Sequence, residues 1–187
     1  MKKSSNDYEI YNIMEHVADQ AIERVLAEDS LACSCQLCRD DAKSCMLNNL
    51  PPLYSPVIAG EKLRKPELEE LDTPLFNKVM VECFKAVMKV KNSPRHENHR
   101  SGVQNSTESI VIHALRDVLT REKIHLDRDE LSMVVANVLN DLKPQYTTTR
   151  KGDVFCRTAE MDAGYLAKVY TSIYNALKEL HPIESHG

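Results

Sequence analysis

One short pattern occurs twice in the chain and limits what the chain can fold into. The pattern Leu-Asn-x-Leu-x-Pro-x-Tyr runs from Leu47 to Tyr54 and again from Leu139 to Tyr146. Two further matches flank it in the same order, AIERVLAED with ALRDVLTRE and VMVECFKAVMKV with VYTSIYNALKEL. Amphipathic helices resemble one another by chance, but the central pattern has no helical period. The ordered matches therefore predict a tandem duplication.

Apolar residues recur at helical spacing in both halves, over residues 12–29 and again over residues 106–123. Pro51 and Pro144 are predicted to end the second helix of each half, because proline lacks an amide hydrogen and restricts the preceding residue. Long polar loops are expected after Tyr54 and Tyr146. The predicted fold class is all-α, with similar three-helix repeats at 12–90 and 106–181 joined by a linker at 91–105. Since each repeat would bury only a thin core, the two are expected to pack as an intramolecular pseudo-dimer.

Charge and hydropathy argue against several classes of protein. The net charge is −4 and the pI is near 6.0, so a global basic surface for nucleic acid is missing. The basic segment KVKNSPRHENHR lacks interleaved aromatic residues and is interpreted as linker, so direct DNA binding is not expected. No apolar run approaches the roughly 18 residues that span a bilayer, so membrane insertion is not expected either. The lysines at the start precede no apolar core, which predicts a cytoplasmic protein rather than a secreted one.

The cysteines are concentrated where the second helix of the first half should begin. The second half has Asp127 and Glu130 at that place, a capping-box pattern. The first half has Cys33, Cys35 and Cys38 instead. Thiolates at this spacing favour tetrahedral Zn²⁺, with ligands about 2.3 Å away, so a structural zinc ion is predicted to hold the turn. Three reduced cysteines, or a redox pair without its usual βαβ surroundings, are the alternatives.

The sequence alone does not select the fourth metal ligand. Cys45 lies beyond Cys38 by about 10 Å of helical rise, so its predicted role is packing. The remaining candidates are Cys83, His16, His96 and His99.

The first half carries, in order, Cys-x-Cys-x2-Cys, Asp41, Leu47-Asn48 and Leu50-Pro51-Pro52-x-Tyr54. This motif, within residues 12–90, resembles that of the late-competence ComFB family. The second half looks like a diverged copy that has lost the cysteines and the first of the two prolines. The resemblance implies a small helical fold, homodimers in single-copy members, cysteine-bound zinc in some members and a non-enzymatic regulatory role. It also implies a candidate ligand, since some bacterial members are receptors for the second messenger cyclic di-GMP.

A cyclic dinucleotide carries phosphates and guanines, so its site needs cations, polar groups for guanine edges and planes for stacking. The segment LKPQYTTTRKGD offers these groups directly after the second copy of the repeated pattern, and the matching segment of the first half adds Lys62 and Lys65. Asp41 and Asn48 are expected to support the site rather than contact the ligand. The predicted ligand-binding residues are Arg150, Lys151, Tyr146, Tyr54, Thr149, Arg64, Asp41 and Asn48.

The alternative function is a zinc-stabilised protein–protein adaptor without a small-molecule ligand. Under either reading a downstream protein partner is expected, although the sequence does not identify it. Enzyme activity is not expected, because the chain has no nucleophile elbow, phosphate-binding glycine loop or HExxH motif.

Overall fold

The computed structural model describes residues 2–4, 8–29, 32–96, 100–149, 152, 154 and 163–180. The prediction of a mainly helical chain is confirmed. None of the described helices has the length and apolar character needed to cross a membrane. The α-helices are α1 (Ile13–Glu28), α2 (Gln36–Leu47), α3 (Thr73–Asn92), α4 (Ser106–Glu122), α5 (Arg128–Asp141) and α6 (Ala163–Leu180).

The all-α prediction was wrong in one respect, because two small antiparallel sheets accompany the helices. The first sheet orders β1 (Lys2–Ser4), β2 (Glu9–Asn12) and β3 (Tyr54–Pro56), and the second pairs β4 (Arg100–Asn105) with β5 (Tyr146–Thr149). These strands are too short to show a clear alternation of apolar and polar residues. The predicted loops after Tyr54 and Tyr146 therefore begin as strands, and part of the predicted linker is β4.

The residues that begin the helices explain the local structure. Asn12 precedes α1 and accepts a hydrogen bond from the Met14 amide, and Asn105 precedes α4 and accepts one from the Thr107 amide. Such side chains satisfy backbone donors that the first turn leaves without partners. The predicted capping box of Asp127 and Glu130 is confirmed at the start of α5.

The buried side chains form two cores, one in each half of the chain. Helices α1, α2 and α3 build the first core, and α4, α5 and α6 build the second. Each core also contains one tyrosine from the other half: Tyr146 lies in the first core and Tyr54 in the second. The halves therefore exchange a buried aromatic ring, and neither core is complete without the other half.

Candidate functional site

The predicted cysteines meet a histidine at the start of α2. One ligand atom each from Cys33, Cys35, Cys38 and His96 lies within 4.8 Å of the others. The Nε2 atom of His96 is 3.2 Å from the Cys38 sulfur and 3.7 Å from the Cys33 sulfur. Cys35 is the N-cap residue of α2. Three thiols and one imidazole form a donor set that suits tetrahedral zinc, so this cluster could hold a metal ion.

Among the four candidates for the fourth ligand, the structure brings His96 to the cysteines. Cys83 is fully buried in the first core, and the imidazole of His16 lies beside Gln20 and Glu67. His99 lies outside the described residues. Cys45 packs at the edge of the first core, as predicted.

The thiols have different affinities for protons. Burial raises the pKa of Cys38 to about 12, whereas a hydrogen bond from the Cys38 amide lowers the pKa of Cys35. A thiol must lose its proton to bind zinc, so metal binding would release protons from this cluster. The Cys35 thiolate is favoured at the helix start for the same reason that anions are favoured there, since backbone amides point outward.

The exchanged tyrosines end in a buried polar network between the halves. The Tyr146 hydroxyl donates to Glu15 at 2.9 Å and accepts from the side-chain amide of Asn12 at 2.6 Å. The Tyr54 hydroxyl donates to Glu108 at 2.6 Å and accepts from the side-chain amide of Asn105 at 2.9 Å.

The two hydroxyl oxygens of this network are only 3.4 Å apart. Burial, followed by nearby acidic groups, raises the pKa of both tyrosines well above 10.0. Both hydroxyls therefore stay protonated and keep donating to their carboxylates.

Two asparagines hold the backbone of these tyrosines. The Asn48 side chain accepts from the Tyr146 amide at 2.6 Å and donates to the Tyr146 carbonyl at 2.9 Å. Asn140 makes the same pair of hydrogen bonds with Tyr54, at 2.6 and 2.9 Å. The Asn of the repeated pattern in one half thus positions the Tyr of the repeated pattern in the other half.

A groove of about 540 Å³ lies beside Tyr146, where α2 and the end of α3 face β5. We call it the α2–α3 groove. Its lining combines positive charge, hydroxyls and side-chain amides. The residues that give it this character are Lys89, Arg95, Ser44, Asn48, Asn49, Thr147, Thr148 and Thr149.

Asp41 connects the wall of this groove to the cluster of Cys33, Cys35, Cys38 and His96. It is buried, accepts from the Thr148 hydroxyl at 2.7 Å and pairs with the Arg95 guanidinium at 3.2 Å. Cys38 precedes Asp41 by one helical turn on α2, and His96 follows Arg95 directly in the chain. The groove and the cysteine–histidine cluster therefore share two segments of backbone.

The family profile described as late competence development protein ComFB matches residues 11–94 and, separately, residues 104–181. The chain belongs to the ComFB family. Two matches that together cover most of the chain are consistent with a tandem duplication. A search of curated proteins and a search of solved structures each found no significant match.

The residues predicted to bind a ligand occupy different places. Asp41, Asn48, Tyr146 and Thr149 line the α2–α3 groove together. Tyr54 is buried in the second core. Arg64 is exposed in the segment between β3 and α3, and Arg150 and Lys151 lie outside the described residues.

Sequence reasoning missed two cations of this ComFB groove, Lys89 and Arg95. Both belong to the segment that was interpreted as linker or helix end. Arg95 directly precedes His96, one of the candidate ligands, and this neighbourhood was the only sequence signal for Arg95.

Proposed function

We propose that this ComFB-family chain is a non-enzymatic regulatory protein that binds cyclic di-GMP, or a similar anionic dinucleotide, in the α2–α3 groove. The observation that carries the proposal is the lining of that groove, where two cations stand beside a row of threonine hydroxyls. Its volume of about 540 Å³ falls within the roughly 300–1,000 Å³ typical of small-molecule sites.

The groove offers separate groups for phosphates and for bases. Arg95 carries a planar guanidinium that contacts phosphate through two hydrogen bonds or stacks on a base, and Lys89 adds a point charge. The Thr149 hydroxyl accepts from the Gly152 amide at 3.0 Å and can donate its own hydrogen to a phosphate oxygen. Asn49 presents an amide for a guanine edge. Arg150 and Lys151 follow Thr149 in the sequence and stay in the proposal on that ground.

The proposal gives the metal a structural role. A Zn²⁺ ion held by Cys33, Cys35, Cys38 and His96 would join the start of α2 to the chain after α3. Such an ion contributes binding free energy to folding.

The two ComFB segments are proposed to pack as the intramolecular equivalent of a homodimer. The support is the set of reciprocal hydrogen bonds, in which the Asn of each repeated pattern holds the Tyr of the other. Superposition of the two halves on each other in an experimental structure, with Tyr54 falling on Tyr146, tests this arrangement.

Isothermal titration calorimetry with cyclic di-GMP tests the ligand. Charge-assisted hydrogen bonds are worth about 1.5–3 kcal/mol, so Arg95→Ala and Arg150→Ala should each weaken binding roughly ten- to a hundred-fold. Lys89→Ala should weaken binding as well, because it removes the other cation of the groove. Lys85→Ala is its matched control, because Lys85 lies one turn earlier on α3, pairs with Glu82 and does not line the groove. If the wild-type chain binds no cyclic dinucleotide at tens of micromolar, the receptor proposal is wrong.

The second candidate function is a zinc-stabilised adaptor without a small ligand. It is favoured by an exposed apolar stripe on α3, formed by Val81, Phe84 and Met88. Contiguous exposed apolar surface is one of the features that mark a protein–protein contact. Calorimetry that finds no binding of any nucleotide, together with loss of a partner on Phe84→Glu, would favour the adaptor over the receptor.

A further inference from the structure

The second ComFB segment has a groove at the place that corresponds to the α2–α3 groove. It has a volume of about 410 Å³ and lies between α5 and α6, so we call it the α5–α6 groove. Its lining includes Asn137, Asn140, Asp141, Ser172, Asn175 and Glu179.

Equivalent contacts and equivalent burial show which residue of one groove corresponds to which residue of the other. Asn48 lines one groove and Asn140 the other, and each brackets a tyrosine backbone in the same way. The third helices align through their buried positions, with Val79 equivalent to Val169 and Cys83 to Ile173. The same alignment places Ala86 on Ala176 and Val87 on Leu177, and all four of these residues are buried.

Under this residue correspondence, the two grooves carry opposite charge. Lys89 of the α2–α3 groove is replaced by Glu179 in the α5–α6 groove. Asn49 is replaced by Asp141, whose carboxylate accepts a hydrogen bond from Ser172. Among the described residues, the lining of the α5–α6 groove contains two acids and neither lysine nor arginine.

The polar wall has changed as well. Thr148 and its partner Asp41 form one side of the α2–α3 groove, and the equivalent positions are Pro56 and Met133. The hydrogen bond from the Thr148 hydroxyl to Asp41, which orders this wall of the α2–α3 groove, therefore has no counterpart in the second segment, because proline and methionine side chains carry no hydrogen-bond donor. The α5–α6 groove presents carboxylates at positions equivalent to those that would contact a phosphate in the α2–α3 groove, and like charges repel.

We propose that the chain binds its anionic ligand in the α2–α3 groove alone, and that Lys89 and Glu179 determine this choice between two equivalent grooves. This inference rests on the proposed function and adds to it. A tandem ComFB chain would then carry one functional ligand site, and its second repeat would serve mainly to complete the first. The second repeat completes the α2–α3 groove through β5, because Tyr146 to Thr149 come from the second segment and line that groove.

The test is calorimetry of the full chain with cyclic di-GMP, comparing two charge reversals of equal size. Lys89→Glu changes the α2–α3 groove, whereas Lys178→Glu changes an exposed lysine next to Glu179 that does not line the α5–α6 groove. Both variants shift the net charge equally, so a general electrostatic effect would act on both. We expect Lys89→Glu to weaken binding at least a hundred-fold, and Lys178→Glu to change affinity by less than about threefold.

The number of ligands that the Lys89→Glu variant still binds per chain shows whether the chain has one functional groove or two. Loss of all saturable binding supports a single functional groove, whether one ligand or a stacked pair of ligands occupies it. If the number of ligands bound per chain falls by half and the remaining ligand binds with the original affinity, the α5–α6 groove is also a site. The inference is then wrong, while the proposed function stands. If the wild-type chain binds no dinucleotide, the proposed function fails and this inference fails with it.

Discussion

Replacing either exchanged tyrosine by phenylalanine should destabilise the whole chain. In Tyr146→Phe, the ring remains in the first core, but Glu15 and Asn12 each lose one buried hydrogen bond. A hydrogen bond to a charged group is worth about 1.5–3 kcal/mol and a neutral one about 0.5–1.5 kcal/mol, so the expected loss is about 2–4.5 kcal/mol. Tyr54→Phe removes the equivalent bonds to Glu108 and Asn105 and should cost a similar amount.

Urea unfolding followed by circular dichroism measures these losses. Tyr174→Phe is the matched control, because its hydroxyl also donates to a carboxylate, that of Glu122 at 2.9 Å, but on the surface. It should change stability far less than the buried substitutions. Since the two buried hydroxyls are 3.4 Å apart, the double variant should differ from the sum of the single variants.

The reasoning about the tyrosines would be refuted by either of two results. One is a loss below about 0.5 kcal/mol in both single variants, which would mean that the buried bonds contribute no more than surface ones. The other is a loss confined to Tyr54→Phe or to Tyr146→Phe, which would mean that the two networks are not equivalent.

Two further predictions concern metal and pH. Metal analysis should find about one equivalent of zinc per chain; His96→Ala should lower this content, whereas His16→Ala should not. Chelation of the zinc should lower both the melting temperature and the affinity for cyclic di-GMP. A metal-free chain of unchanged stability would contradict this prediction. Burial raises the pKa of Cys83 to about 12 from 9.0 and that of Tyr54 and Tyr146 well above 10.0, so the folded chain holds these protons more tightly than the unfolded chain. The stability from these groups is therefore complete below pH 9 and should fall as the pH rises from about 9 to 12; unfolding free energies that stay constant over this range would contradict the assignment.

The helices could be predicted from the sequence because their signals are local. The apolar period placed α1 and α4 within about two residues, and Asp127 with Glu130 marked the start of α5. The cysteine cluster was local too, since its spacing lies within one short segment.

The contacts between the halves could not be predicted in the same way. Tyrosine carries an apolar ring and a polar tip, so Tyr54 and Tyr146 fit a ligand site or a core equally well in the sequence. The residue that decides is on another element, namely Asn140 or Asn48. One signal was present: Glu15 recurs as Glu108 on the second copy of the first helix, and a repeated acid on a buried face indicates a partner.

His96 shows the same difference between local and long-range information. It lies in a polar segment without periodicity, so nothing local separates it from His99. Its selection as a ligand depends on where α3 ends relative to the start of α2, which is a matter of packing.

The cysteine–histidine cluster and the α2–α3 groove are connected through neighbouring residues. A metal ion that binds Cys38 and His96 would fix the end of the α3 segment against α2. Because Arg95 precedes His96, the same bond would restrict where the Arg95 guanidinium can lie, and Asp41 on α2 holds it at 3.2 Å. An ion that orders Arg95 before the ligand arrives reduces the conformational entropy that binding must otherwise remove. The cysteines of the first repeat would then be required for ligand affinity as well as for folding.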